Sequence, residues 1–376
     1  MLQNIAIFCR VIDNFGDAGV CLRLARALHK RTNGYECAAH IQIYIDLPQH
    51  ILPMLDADDL NAVDRKTLQI LPLATLKKSN ATLQAADLVI EAFASSGGIM
   101  PQVYLDAMDA RYAVGLPCVW LNLEYLSAET WVEGVHGLPY GLRRQSGLQQ
   151  YLFCPGFTAK TGGLLRFGLS NNDFPSSNLH DTDTTITRSL RIFCFAYYSL
   201  PRDALARAIA AAETHLACEI ELIDTKNLCF MPQTEFDALL WSCDGAIVRG
   251  EESPIRAMLG GVPLLWQLYP TPDGAQGDKL AAWLALPMMQ AYCAAVPSTA
   301  AACLSLNRDC ENAKDENTNC NTLEKNLCSW LCALAKPETK RASQVLQAEI
   351  RALPELSQSI LSFYQSQHKT SAKTAA

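Results

Sequence analysis

The chain has 376 residues, 49% of them hydrophobic and 18% charged, a balance that excludes a disordered or fibrous protein and predicts a soluble one with two domains. Its net charge of −7 speaks against a broad nucleic-acid-binding face and suits a cationic substrate or a basic protein patch. No apolar run reaches the roughly 18 residues of a membrane span, and a direct start on a strand-like run carries the expectation of no leader and a cytoplasmic protein.

The first strand-like run, Ile5 to Ile12, enters the turn Asp13-Asn14-Phe15-Gly16-Asp17-Ala18-Gly19. A helical pattern leaves it, with Val20, Leu24, Ala27 and Leu28 on one face. Gly16 and Gly19 permit a tight backbone and a close approach of substrate. The G-x-G-x-x-G spacing of a dinucleotide site is absent, and Asp13 and Asp17 would repel a phosphate. The pair reads either as acids aimed at a cationic or hydroxylic group, or as a helix cap plus a solvated turn acid.

Further strands are expected at 41–45, at 87–93 before Ser95-Ser96-Gly97-Gly98, and at 117–122 before Leu123-Glu124-Tyr125-Leu126-Ser127. Strands alternating with helices predict a parallel sheet covered on both faces. Asp13, Asp17, Glu91, Asn122 and Glu124 are read as lying just past strand ends, the edge at which such sheets bind ligands.

Residues 168–187, rich in Ser, Asn, Asp and Thr, read as a linker. Alternation restarts with a strand at 190–198, a helix at 203–216 and a strand at 219–223. The domains predicted are thus 1–165, a linker at 166–187, and 188–353, with 354–376 able to pack back on the first. The charged, Asn-rich stretch 307–325 looks like a surface insertion, and the tail after His368 is expected to fray.

The 15 cysteines sit mostly in apolar runs, as at Cys9, Cys118, Cys194 and Cys218, and no C-x-x-C occurs. Buried reduced thiols fit this better than a disulfide framework. Cys310, Cys320, Cys328 and Cys332 cluster without the spacing of a zinc site.

In the second domain a helix is expected after Phe230-Met231-Pro232, and then the buried strand Gly245–Arg249. That strand leaves through Gly250-Glu251-Glu252-Ser253-Pro254, where Ser253 reads as a helix N-cap with proline in the first helical position. Free backbone N–H groups and the positive end of the helix dipole suit a phosphate, and Gly250 lets it come close. A capped helix without a ligand is the plain alternative. The next strand is expected at 262–269. Two Rossmann-like units facing a cleft, with a phosphate site in the second, describe a GT-B glycosyltransferase architecture.

The sequence resembles the bacterial EarP family, the arginine rhamnosyltransferases of elongation factor P. The resemblance rests on VIDNFGDAGV at 11–20, LVIEAFA at 88–94, LNLEYLSAE at 121–129, GFTAKTGGL at 156–164, RGEES at 249–253 and QLYP at 267–270. It implies inverting transfer of rhamnose from dTDP-β-L-rhamnose to an arginine of elongation factor P, activating that factor for ribosomes stalled at polyproline. No cofactor or metal is implied. By motif, Asp17 matches the general base, Asp13 the acid that opens the same motif, and Glu251 the second catalytic carboxylate. Gln233 and Phe236 match the thymine holders, Tyr197 a donor-pocket tyrosine, and Ser253 and Tyr269 the diphosphate ligands. Asn14, Phe15, Gly16, Arg249, Gly250 and Glu252 complete the donor contacts so implied. Glu252 stands where the family's motif has Asp, so its longer side chain must fold back or shift its contact. The competing readings are a nucleotide-sugar epimerase, another GT-B transferase, and a non-catalytic protein that docks on a translation factor.

Overall fold

The computed structural model describes residues 2–13, 15–32, 39–78, 83–94, 98–141, 143–166, 189–271, 274–308 and 316–374. Asn14, Cys310 and all of the expected linker except Arg166 lie outside the described residues.

In chain order the first elements are β1 (Asn4–Cys9), α1 (Phe15–Thr32), β2 (His40–Ile45), α2 (Ala57–Asp64), β3 (Leu68–Pro72), β4 (Leu88–Ala92), α3 (Gln102–Ala113), β5 (Val119–Leu123), α4 (Trp131–Val135), β6 (Pro139–Tyr140) and β7 (Gln150–Phe153). They form one sheet in the order β3-β2-β1-β4-β5-β7-β6, parallel except for the short β6. Both faces are apolar, because successive side chains alternate between two helix layers. Ile5, Ile7, Ile41, Ile43, Leu88 and Ile90 pack with Leu22, Ala25 and Leu28 of α1. Ala6, Phe8, Tyr44, Val89 and Trp120 pack with Tyr104 and Met108 of α3.

The chain continues with β8 (Leu190–Cys194), α5 (Arg202–Leu216), β9 (Ile220–Asp224), α6 (Gln233–Trp241), β10 (Gly245–Arg249), α7 (Glu252–Gly260), β11 (Leu264–Gln267), α8 (Ala275–Leu284), α9 (Pro287–Ala295), α10 (Ser298–Leu306), α11 (Glu316–Leu334), α12 (Pro337–Ala352) and α13 (Leu356–Thr374). A second, fully parallel sheet runs β11-β10-β8-β9. The fold is therefore mixed α/β with parallel sheets. Spatial contacts group the chain into two compact units. One holds the described residues up to Arg166, Met231–Gln233 and the chain from Leu353 on; the other holds the described residues from 189 to Phe230 and Thr234–Ala352.

Helix α13 lies on the α1 face of the first sheet, through Leu356, Ile360, Leu361 and Tyr364. Its entry is pinned: Arg31 pairs with Glu355 at 2.8 Å, Leu164 N–H donates to the Pro354 carbonyl at 2.9 Å, and Leu356 N–H donates to the Leu164 carbonyl at 3.0 Å.

Several elements differ from the expectation. The strand expected at 190–198 ends at Cys194, because beyond it Tyr197 N–H donates to the Gln267 side chain at 2.7 Å rather than to a neighbouring strand. The stretch expected as a surface insertion at 307–325 is helical from Glu316 on. Leu323, Leu327, Trp330 and Leu331 recur at helical spacing and are buried, whatever the Asn-rich face beside them suggests. Every cysteine among the described residues is a free thiol, Cys218 half-buried and Cys229 exposed. Among the described residues, no helix is long and apolar enough to cross a membrane, and no group of three or more His, Cys, Asp or Glu could hold a metal.

Candidate active site

In an open parallel sheet, neighbouring strands whose connections run to opposite sides leave a crevice beyond their carboxyl ends. The first sheet has this reversal between β1 and β4. Register puts Cys9 opposite Ala92 and Ala92 opposite Leu123, so β1, β4 and β5 end level. Their exits therefore bring Ile12–Asp17, Phe93 and Glu124–Tyr125 to one edge.

Asp17 lies in the first turn of α1, yet among the described residues it caps no N–H of that helix. Its carboxylate turns back, and Oδ2 accepts from the backbone N–H groups of Ile12 at 2.7 Å and Asp13 at 2.9 Å. The Tyr125 hydroxyl donates to Oδ1 at 3.3 Å. The residue is 3% exposed, so it is not a solvated turn acid. Burial raises its pKa above the ordinary carboxylate value, and the nearby charge of Asp13 adds to this. The bonds from Ile12, Asp13 and Tyr125 pull the other way without cancelling it. Gly16 N–H donates to the Asp13 carbonyl at 2.7 Å, and a Cβ on Gly16 would sit 2.9 Å from Asp13 Oδ2. A side chain there would push that carboxylate aside. Phe15 packs on His50 with ring centroids 4.7 Å apart.

Two polar residues expected past strand ends are not there. Glu91 and Asn122 lie inside β4 and β5 and are buried. Glu91 accepts from the N–H groups of Ile99 and Met100, the Trp120 indole and the Gln150 amide. That full set of donors makes it an internal tie between β4 and its neighbours. Glu124 does lie at the exit, with its backbone held to Phe153.

The second sheet has its own reversal, between β8 and β10. The β10 exit is Arg249-Gly250-Glu251, with Gly250 at φ +68°, and the β8 exit carries Phe195 and Tyr197. The Arg249 guanidinium sits 4.5 Å from the Phe195 ring centroid and 4.6 Å from that of Tyr197. Tyr197 also meets Tyr269 edge-on at 5.5 Å, and Phe195 meets Phe236 at 5.2 Å. Phe236, Phe195, Arg249, Tyr197 and Tyr269 thus form one continuous run of π-faces around a cation. Gln267, buried in β11, holds it: it accepts from Tyr197 N–H and donates to Ser199 Oγ at 3.1 Å.

The start of α7 is corrected. Glu251, not Ser253, is the N-cap, and Ser253 and Pro254 are the second and third helical residues. The left-handed turn at Gly250 lets the helix begin at once, and the Trp266 indole fixes the Gly250 carbonyl at 2.6 Å. Pro254 lacks an N–H, so the backbone donors at this terminus are those of Glu251, Glu252 and Ser253. Glu251 Oε1 forms an ion pair with Lys279 of α8.

Gln233 is grouped with the first unit, where its side-chain carbonyl accepts from Arg26 Nη1 at 2.7 Å and its amide donates to the Gly19 carbonyl at 2.9 Å. Both ends of the amide are engaged. Sequence reasoning passed over Phe195, Gln267 and Lys279, because their roles rest on contacts between distant elements. A β-strand exit rich in aromatics, Phe193 to Tyr198, was the one available signal for Phe195.

Comparison with known proteins places these features in a family. The model of the Elongation-Factor P (EF-P) rhamnosyltransferase EarP matches residues 5–221 and 196–365. A protein-arginine rhamnosyltransferase of Pseudomonas putida is 36% identical over 74% of this chain and 80% of its own. One of Pseudomonas aeruginosa is 32% identical over 78% and 82%, and one of Shewanella oneidensis 33% identical over 74% and 80%. A solved structure from work on the structural basis for EarP-mediated arginine glycosylation of translation elongation factor EF-P covers 96% of this chain and 99% of its own, with a TM-score of 0.47 and 21% identity. On the family model and these relatives, the chain belongs to the EarP family of elongation factor P rhamnosyltransferases.

Proposed function

We propose that this protein is a protein-arginine glycosyltransferase that moves rhamnose from dTDP-β-L-rhamnose to an arginine side chain of elongation factor P, with inversion and without a metal. Membership of the family and the activity named for its relatives support the reaction. The observation that carries the chemistry is a buried carboxylate with raised pKa, Asp17, at the ligand edge of a parallel sheet. The two parallel-sheet units are read as the halves of a GT-B enzyme, the first taking the acceptor and the second the nucleotide sugar.

Arginine is protonated at physiological pH, its pKa being above about 12, so no carboxylate removes its proton in the ground state. Asp13 and Asp17 hold the planar guanidinium by charge-assisted bonds. One guanidinium nitrogen attacks the anomeric carbon while the bond from that carbon to the diphosphate oxygen breaks. The electron pair of the broken bond leaves with dTDP. The attacking nitrogen becomes acidic as its new bond forms, and its proton passes to Asp17. Burial suits Asp17 to this task, since a base with a raised pKa binds a proton more firmly.

In the second unit Arg249 and the positive N-terminal end of α7 receive the diphosphate charge. Arg249 suits the role because its guanidinium lies against the Phe195 and Tyr197 rings, which hold the planar donor fork in place. Phe236, Tyr197 and Tyr269 supply faces for the thymidine and sugar. Ser253 and Gly250 line the phosphates, and Glu251, held by Lys279, is the second carboxylate that orients the reacting partners. Glu252 takes the place of the family's Asp at the donor.

The test is intact mass spectrometry of purified elongation factor P after incubation with this protein and dTDP-rhamnose. One added deoxyhexose, lost when the acceptor arginine is replaced by lysine, is the expected result. An unmodified factor beside intact donor would overturn the proposal.

A further inference from the structure

We infer that Tyr125 is a positioning residue for Asp17, holding its Oδ1 for proton transfer, and that the Phe93–Tyr125 ring stack exists to place that hydroxyl. The inference rests on Asp17 acting as the base and adds the residue that aims it.

Three observations converge on it. First, the two oxygens of Asp17 are unequal. Oδ2 is committed to the N–H groups of Ile12 and Asp13, so it holds the turn and is poorly placed to take a proton. Oδ1 meets the Tyr125 hydroxyl through a longer bond of 3.3 Å. Proton transfer therefore falls to Oδ1, and the group beside it is Tyr125. Second, the Tyr125 ring is clamped. It lies face to face with Phe93, centroids 4.4 Å apart and planes 13° apart. Third, Phe93 adopts φ +60°, the left-handed region that a bulky side chain avoids, and its N–H donates to the Leu123 carbonyl at 2.8 Å. Such strain persists only where the surroundings over-determine it, and it concentrates at functional sites. Here it turns the β4 exit so that an aromatic face meets the β5 exit. Three strand exits are thereby locked around one carboxylate oxygen.

Other titratable groups stand near Asp17. Asp13, in its own turn, opposes its ionisation. Cys9 at the end of β1 has its thiol pushed well up by its hydrogen bond with Cys21 of α1 and by burial, so it stays neutral. Asp46 at the β2 exit accepts from Val11 N–H at 3.0 Å and bears on Cys9. The Tyr125 hydroxyl favours the ionised form of Asp17, so its loss lets the Asp17 pKa rise further.

The experiment is single-turnover transfer to elongation factor P across a pH series, with Tyr125→Phe. This change keeps the ring stack and removes only the hydroxyl. The rate near neutral pH should fall about tenfold, as expected for losing a hydrogen bond to a charged group. The acid limb should move to higher pH, so the deficit shrinks as pH rises, with the KM for dTDP-rhamnose unchanged. Phe93→Leu, which keeps the hydroxyl but loosens its ring, should shift the limb the same way by less. Wild-type pH profiles in both variants, or a loss equal at every pH, would overturn the inference. Asp17→Asn in parallel separates the two readings. Near-wild-type transfer there removes the base itself. Lost transfer there beside an unshifted Tyr125→Phe profile removes only the positioning role.

Discussion

Replacing Asp17 by Asn separates what this residue does for the reaction from what it does for the fold. The amide has the size of the carboxylate. Its carbonyl can keep the bonds from Ile12 and Asp13 N–H, and its NH2 can donate to the Tyr125 oxygen. Each bond passes from charge-assisted to neutral, a loss on the order of 1 kcal/mol apiece. Against this stands the cost of keeping a charge in a site 3% exposed. The raised pKa says which wins: the folded site prefers the neutral acid more than water does. The sign follows. A carboxyl whose folded pKa lies above its unfolded value of 3.8 contributes stability that is present below pH 3.8 and is lost as pH rises through the folded pKa. At neutral pH the ionised Asp17 is therefore a net burden, and Asn removes it. The melting temperature of Asp17→Asn at pH 7 should equal or exceed that of the wild type, with any advantage vanishing at acid pH. Turnover should fall by about two orders of magnitude or more, since an amide cannot take the proton. Donor affinity should change little, because Phe236, Tyr197, Arg249 and Tyr269, proposed to hold the nucleotide and diphosphate, lie in the second unit. Calorimetric melting, dTDP titration and single-turnover transfer read the three quantities. A clear fall in melting temperature with nearly normal transfer would refute the reasoning, and Asp17 would then be a turn-holding residue only.

Arg249→Lys keeps the charge but loses the planar group that stacks between Phe195 and Tyr197, so transfer should drop about tenfold or more and dTDP should bind more weakly; equal affinity by calorimetry would argue against the diphosphate role. EDTA should leave transfer intact, because Arg249 and the α7 N-terminus are proposed to take the leaving charge; activity abolished by EDTA and restored by magnesium would overturn that. Gly163→Ala should lower the urea midpoint by an amount worth about 2 kcal/mol or more, since Gly163 has φ +77° and an added Cβ would lie 2.1 Å from the Pro354 carbonyl that Leu164 N–H uses at the entry to α13. An unchanged midpoint would mean that this junction gives way without cost.

The sequence alone determined the α/β class, because short apolar runs such as Ile5–Cys9 alternate with helical patterns, and a parallel sheet between helix layers uses that order. It also marked the two strand exits that matter, since Asp13–Asp17 and Arg249–Ser253 combine a tight glycine turn with charged residues, and turn chemistry is local. Tertiary structure decided everything that depends on two distant segments meeting. Glu91 and Asp17 look alike in sequence, both acids close to a strand end. One is met by four donors inside the sheet, and the other keeps an oxygen at the edge. Gln233 and Phe236 are three residues apart, yet Arg26 and Gly19 hold the first while Phe195 meets the second. The pairing of Glu251 with Lys279, and of Tyr125 with Phe93 and Asp17, joins residues far apart in the chain. Local propensity carries no information about such partners, because they are set by strand order and register, which the whole core determines at once.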